Sequence, residues 1–307
     1  RAILRTGSGR VILLWGLEED APLAQLHGEL RRRGAPVFLL DHAQVLECHA
    51  SVEFVPSLRG RIETPVGALD LNQVQACYLR PYNFRQFPDV AAYGEGSREW
   101  QHAMLFEDIL WSWAEVAGCT VLNRASAMAS NNSKPCQGRL IAQSGFQTPD
   151  TLVTTTPESV RAFCKAAGDV IYKSVSSIRS VVHRMSPERL DSLDDVAWCP
   201  TQFQAYVPGT DYRVHIVGDR SFACAIESSA DDYRYAASRM QSCDLPDSVV
   251  HRCLRLSRML RLPLCGIDLR QTPDGSWFCF EVNPSPAWSC FPGAEDIRTA
   301  IASLLVS

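Results

Sequence analysis

The 307-residue chain has no C-x-x-C pair among its twelve cysteines, which removes the usual zinc ribbon and the thioredoxin-type motif. No apolar run reaches the length needed to cross a bilayer and no signal peptide opens the chain, so neither a membrane partner nor an export route is expected. Basic residues do not dominate: 30 Lys and Arg against 34 Asp and Glu leave a formal charge of -4, which gives no electrostatic footprint for nucleic acid. The fingerprint G-x-G-x-x-G is missing after the first strand, where Gly16 stands alone, so no dinucleotide is placed there. The seven histidines lack metal-ligand spacing, and nothing in the sequence marks one cysteine as an activated nucleophile. The scattered thiols read as small hydrophobes kept reduced in the cytoplasm. The first residue is Arg1 rather than Met, so a few native residues are expected ahead of it.

What remains is an α/β chain of a length that favours two domains, or one domain with a mobile lobe. Residues 10–16 (RVILLWG) read as a buried strand, 21–34 as an amphipathic helix stopped by Gly34, and 35–41 (APVFLLD) as a second strand, together a β-α-β unit. A loop at 83–97 precedes a helix carrying Trp100, Trp111 and Trp113, whose rings are read as packing. A polar stretch after residue 123 leads into a helix near 134–143, and strands and helices alternate from there to a strand DVIYKS that contains Lys173. A lysine inside such a run is either a snorkelling edge residue or a phosphate contact.

The C-terminal third narrows the chemistry. Residues 264–286 read as a hairpin turned at Pro273-Asp274-Gly275, which brings Asp268 across from Glu281 and Asn283. Side chains two apart on a strand share a face, so Glu281 and Asn283 offer carboxylate and amide oxygens together. Hard cations such as Mg2+ take that donor set. Individually, Asp268 at a strand end and Asn283 before Pro284 have plain structural explanations; the ordered set is what carries the metal reading.

The ordered motifs "GID", "FEVNPSP" and "QAYVPGTDYRV" resemble those of the ATP-grasp superfamily, within the branch of the ribosomal-protein glutamate ligase (RimK-like) and the graspetide ligases that macrocyclise ribosomal peptides. The resemblance covers residues 119–307 and, more loosely, the N-terminal part. It implies an N-terminal pre-ATP-grasp domain over 1–118 followed by a two-lobed ATP-grasp domain over 119–307, with a lid lobe at about 148–205. It further implies that Asp268, Glu281 and Asn283 hold Mg2+ on ATP. In the same carry-over Lys134 and Lys173 neutralise phosphates, Gln204 and the backbone of Ala205 and Val207 meet adenine, and Asp211 meets the ribose. Arg234, with Arg213 as a second candidate, would stabilise the transferring phosphoryl group.

Two stretches depart from the family pattern. The loop after Lys173 reads SVSSIRSVVHR with no glycine, leaving hydroxyls such as Ser177 and the charge of Arg179 to meet phosphate, and SPAWSCF replaces a simpler Ser-Pro-Gly ending. The implied activity is ligation of a small-molecule or peptide carboxylate to an amine or hydroxyl through an acyl phosphate. A phosphotransferase on the same fold and a nucleotide-gated binding protein are the alternatives. Homo-oligomerisation is compatible with the sequence and not specified by it.

Overall fold

A computed structural model describes residues 10–174, 182–199, 201–228 and 238–307. The chain divides into two compact units, one of residues 1–126, 287–290 and 294–307, the other of residues 127–286 and 291–293.

The first unit is built on the β-α-β signal. Strand β1 (Val11–Gly16) is buried at every position, as a strand covered on both faces of a parallel sheet must be. Helix α1 (Ala21–Arg32) starts where Asp20 accepts the Leu23 N–H at 3.2 Å and buries Leu23, Leu26 and Leu30 along one stripe. Strand β2 (Val37–Asp41) then pairs parallel to β1. A small antiparallel sheet follows, made of β3 (His49–Glu53), β4 (Arg59–Thr64) and β5 (Gly67–Asp70), before the chain returns to the parallel sheet as β6 (Val74–Arg80). The short α2 (Pro88–Ala91) leads to α3 (Arg98–Val116), which is capped by Ser97. Trp113 is buried in the core with Phe106 and Leu110, and Trp100 and Trp111 pack against it, so the tryptophans are packing residues as the sequence indicates. Strand β7 (Thr120–Leu122) completes the sheet in the order β2-β1-β6-β7.

In the second unit, α4 (Ala125–Met128) bridges the division and α5 (Lys134–Gln143) follows, with Ser133 as its cap. A four-stranded antiparallel sheet collects β8 (Thr151–Thr154), β9 (Val170–Ser174), β10 (His183–Arg184) and β11 (Thr201–Ala205) in the order β10-β9-β11-β8. Helix α6 (Pro157–Ala167) and the short α7 (Pro187–Asp191) accompany it, and its core joins Val160, Val170, Leu193, Val196 and Phe203.

The larger sheet of the same unit contains β12 (Thr210–Val217), β13 (Arg220–Ser228), β14 (Ser238–Cys243), β15 (Leu264–Gln271) and β16 (Trp277–Asn283), ordered β14-β13-β12-β15-β16. Alternation, interrupted by one extra residue in β16, gives it two different faces. Val214, Ile216, Ile267, Leu269, Cys279 and Val282 join one core with Ile141 of α5 and with Val249, Cys253 and Leu256 of α8 (Asp247–Leu260). The residues between them, Asp211, Arg213, Asp268 and Arg270, fall on the opposite face. The predicted hairpin of β15 and β16 forms with Gly275 in its turn at positive φ, and β12 and β13 make another with Gly218 in the same conformation. The last helix, α9 (Ala294–Val306), groups with the first unit, where Arg33 Nη1 donates to Ser303 Oγ at 3.0 Å. Among the described residues no helix is long and apolar enough to cross a membrane.

Candidate active site

The face of the large sheet opposite the α5 and α8 core collects the charged candidates. Asp268 on β15 lies directly across from Glu281 on β16, and Gly266 lies across from Asn283. The ladder slips by one residue between Asp268 and Leu269, a bulge that leaves Phe280 as the extra residue on β16 beside Glu281. Arg213 on β12 stands opposite Asp268 on its other side and donates from Nη1 to Asp268 Oδ1 at 2.6 Å. The Arg213 side chain is 6% exposed and that of Asp268 25%. Two carboxylates and one guanidinium thus meet in three adjacent strands with one net negative charge, a balance that favours a divalent cation.

The donor set fits a hard cation: two carboxylates from Asp268 and Glu281 and an amide oxygen from Asn283. Asn283 Oδ1 also accepts the Ser285 N–H at 2.9 Å, which fixes its orientation and leaves the second lone pair of that oxygen available. Among the described residues no group of three His, Cys, Asp or Glu side chains is placed to hold a metal, and here the third oxygen comes from an amide.

Residues that sequence reasoning missed hold these groups in place. A Cβ on Gly266 would lie 2.4 Å from Arg213 Nη2, so the guanidinium occupies the space that the missing side chain leaves. Gln137 on α5 clamps β16 from the core side: Nε2 donates to the Val282 carbonyl and Oε1 accepts the Val282 N–H, both at 2.9 Å. Lys134 is the first residue of that helix and is half-buried. Arg270, two positions after Asp268, grips Asp211 with both arms of its fork, Nε to Oδ1 at 2.6 Å and Nη2 to Oδ2 at 2.9 Å, while Nη1 donates to the Val207 carbonyl at 2.7 Å. Its guanidinium also lies 5.2 Å from the Phe280 ring centroid. The i, i+2 spacing of Arg270 from Asp268 is the signal that would have found it.

The other candidates lie on the smaller sheet and on the strand leaving it. Lys173 on β9 pairs with Gln202 on β11 and is buried, and β9 runs between β10 and β11 rather than along an edge. Gln204 is buried and donates from Nε2 to Thr151 Oγ1 at 3.0 Å, while its Oε1 is buried and has no hydrogen-bond partner among the described residues. That lone acceptor suits an amino group of a bound base. Ala205 donates its N–H to the Asp150 carbonyl at 2.9 Å. Ala205 and Val207 border a cavity of about 850 Å3 that Phe146, Tyr206 and Phe278 also line. Ser177 and Arg234 lie outside the described residues, as does Arg179.

His215, on the same sheet face as Arg213, is buried against Phe291 with ring centroids 4.9 Å apart. Burial, with the Arg213 charge second, holds its pKa well below 6.5, so the imidazole is neutral at pH 7 and adds no charge to the site.

No family model matches the chain. Among curated proteins it is 26% identical to beta-citrylglutamate synthase B of Danio rerio, over 63% of this chain and 52% of that protein. It is 25% identical to N-acetylaspartylglutamate synthase A of Mus musculus, over 89% of this chain and 79% of that one. The chain therefore spans about half the length of the first of these relatives. Among solved structures, macrocyclase MdnC bound with precursor peptide MdnA from Microcystis aeruginosa superimposes with a TM-score of 0.82 over 96% of this chain and 99% of that chain, at 24% identity. The ATP-grasp ligase PsnB complexed with minimal precursor, Mg and ADP gives a TM-score of 0.79 over 99% and 100%, at 23% identity. The fold of this chain is that of the ATP-grasp ligases, as the resemblance implied.

Proposed function

We propose that this protein is an ATP-dependent ligase that joins a carboxylate to an amine or hydroxyl through an acyl phosphate. The observation that carries this reading is the Asp268–Glu281 pair, flanked by Asn283 and braced by Arg213, on the charged face of the large sheet of an ATP-grasp fold. Mg2+ bound by Asp268, Glu281 and Asn283 would neutralise phosphate charge and orient the γ-phosphoryl group. Lys134 and Lys173 supply further positive charge to the phosphates. Gln204 and the Ala205 and Val207 backbone meet adenine, and Asp211, oriented by Arg270, accepts the ribose hydroxyls. Arg213 and Arg234 stabilise the charge that develops as the phosphoryl group moves.

The reaction follows in two displacements. A carboxylate oxygen of the substrate attacks the γ-phosphorus and ADP leaves, giving the acyl phosphate. The amine or hydroxyl then attacks the acyl carbon, loses its proton, and expels inorganic phosphate. No covalent enzyme intermediate is needed, since positioning and charge neutralisation lower both barriers. A peptide carboxylate is the substrate class favoured by the solved structures this chain resembles, whose names record a bound precursor peptide in one and a leader and core peptide in another. The organisation proposed is a pre-ATP-grasp domain over 1–118 and an ATP-grasp domain over 119–307, with a lid at about 148–205.

Hydroxylamine provides the test, because it intercepts an acyl phosphate as a hydroxamate even when the natural acceptor is missing. A screen of peptides and small acids with ATP and Mg2+ is expected to yield hydroxamate and ADP together. ADP accompanied by a stable phosphate ester would overturn the ligase reading in favour of phosphoryl transfer. Bound but intact ATP across the whole screen would favour a binding protein.

A further inference from the structure

Gln204 offers a buried acceptor only while its amide is held one way round, and the group that holds it lies on the neighbouring strand. Thr151 of β8 pairs directly with Gln204 of β11. The Thr151 hydroxyl has one proton, and it donates that proton to the Pro149 carbonyl at 2.8 Å. The hydroxyl oxygen is left with lone pairs alone, and it accepts the Gln204 Nε2–H at 3.0 Å. Turned over, the amide would set Oε1 against the Thr151 oxygen, and one hydroxyl proton cannot serve both that oxygen and the Pro149 carbonyl. The orientation of Gln204 is therefore set by where the Thr151 proton goes.

Burial makes that orientation matter. Gln204 is 5% exposed, and its Oε1 has no hydrogen-bond partner among the described residues. Gln202, two residues earlier and on the same face, repeats the pattern: it is 3% exposed, and its Oε1 also lacks a partner among the described residues. Phe203 between them joins Val160 and Val170 in the core on the other face. Two amide oxygens are thus buried side by side, with Lys173 across from Gln202. A base with an amino group satisfies such an acceptor. A base with a carbonyl in its place sets oxygen against oxygen and leaves a buried group unpaired, which costs more than the lost hydrogen bond alone.

We propose that Thr151 is a specificity-determining positioning residue: by locking the Gln204 amide as an acceptor, it selects a nucleotide whose base presents an amino group, adenine, over one that presents a carbonyl, such as hypoxanthine. The proposal rests on the nucleotide site of the proposed function, in which Gln204 meets the base, and it gives Thr151 a role exerted through Gln204 rather than by a contact of its own. Thr151 is exposed on an outer strand of its sheet, so exchanging its hydroxyl for a methyl group opens no core.

The test compares ADP with inosine diphosphate in calorimetric titrations of the full chain, because inosine replaces the C6 amino group of adenosine by a carbonyl and adds a proton at N1. Wild type should bind ADP about 100-fold more tightly than inosine diphosphate. Thr151→Val keeps the β-branched shape and removes the hydroxyl, so the Gln204 amide is free to turn. The preference should then narrow about ten-fold, with inosine diphosphate gaining as Nε2 meets its carbonyl; the remainder is held by the hinge backbone. Thr151→Ser retains the hydroxyl and should keep the wild-type ratio. In Gln204→Leu, adding Thr151→Val should change the ratio no further, since both act through one contact. An unchanged ratio in Thr151→Val would overturn the proposal, as would an equal loss of both affinities, which marks a merely structural role, or a Thr151→Ser ratio as narrow as that of Thr151→Val. ADP bound with no preference over inosine diphosphate would overturn the proposal and leave the ligase reading standing, whereas ADP that does not bind at all would remove both. The Thr151 variants decide the matter even if Gln204→Leu does not fold.

Discussion

Glu281 and Asp268 face each other across two strands, yet they differ in what they do for the fold, and that difference separates a metal role from a structural one. Asp268 braces Arg213, whose side chain is 6% exposed, through a 2.6 Å ion pair. Removing one member of a buried pair costs about 3–5 kcal/mol, and since Asp268 is 25% exposed a discounted loss of about 2 kcal/mol is expected for Asp268→Asn. Glu281 has no ion pair or side-chain hydrogen bond among the described residues, and its nearest cross-strand neighbour is another carboxylate. Glu281→Gln relieves that repulsion, so stability should hold within about 0.5 kcal/mol or rise slightly. If Glu281 is a metal ligand, the same variant should nevertheless lose about 100-fold or more in Mg2+-dependent ADP formation, because a charged contact that matters most as phosphate charge shifts is gone. Urea unfolding and a coupled ADP assay on the two variants give four numbers. Glu281→Gln with wild-type ADP formation would refute the metal assignment. A destabilisation as large as that of Asp268→Asn would refute the separation of roles.

Two further outcomes follow from burial. Lys173→Ala should weaken ADP binding at least about ten-fold in calorimetric titration, whereas Lys165→Ala, on α6, should leave it unchanged; equal affinities would return Lys173 to a packing role. Because the folded pKa of His215 lies well below 6.5, its contribution to stability is complete above that value and is lost as pH falls below it, at about 1.4 kcal/mol per pH unit until the folded pKa is reached. His215→Gln should flatten the stability profile between pH 6.5 and 5 relative to wild type, and parallel profiles would show that folding does not lower the pKa of His215.

Much of the architecture was legible because it rests on local pattern. The buried run of β1, the capped stripe of α1 and the turn glycines at 218 and 275 each state their element within a few residues. The hairpin itself was legible from its turn, which brings the β15 and β16 ends together, but the turn register alone would set Asp268 against Phe280; the one-residue bulge that puts Glu281 across from it is not written in any turn signal. What was hidden depends on contacts between residues far apart in the chain. The β3-β4-β5 sheet has polar alternation on one face and little apolar signal. The grouping of α9 with the first unit reflects packing that no helical period encodes. Gln137 looked like one polar residue of an ordinary helix, and only its paired bonds to Val282, 145 residues away, give it a reason to be buried.

Arg270 shows why a motif can name a residue and still leave its environment unread. The pattern around the hinge points to Asp211 as an acceptor for two hydroxyls, which requires a carboxylate held in one plane with capacity to spare. Its partner, Arg270, is 59 positions away and is set opposite it by the β12–β15 ladder. Each Asp211 oxygen receives one bond from the Arg270 fork, and a carboxylate oxygen accepts two, so one acceptor site per oxygen remains. The third guanidinium nitrogen is tied to the Val207 carbonyl at the strand exit, which links the orientation of Asp211 to the position of the hinge backbone. A point charge such as lysine offers no planar fork with which to hold both the carboxylate and that carbonyl. The arginine two residues beyond Asp268 is therefore a geometric requirement of the proposed ribose contact: its spacing from Asp268 gives its face of the sheet, and the register of β12 against β15 gives its partner.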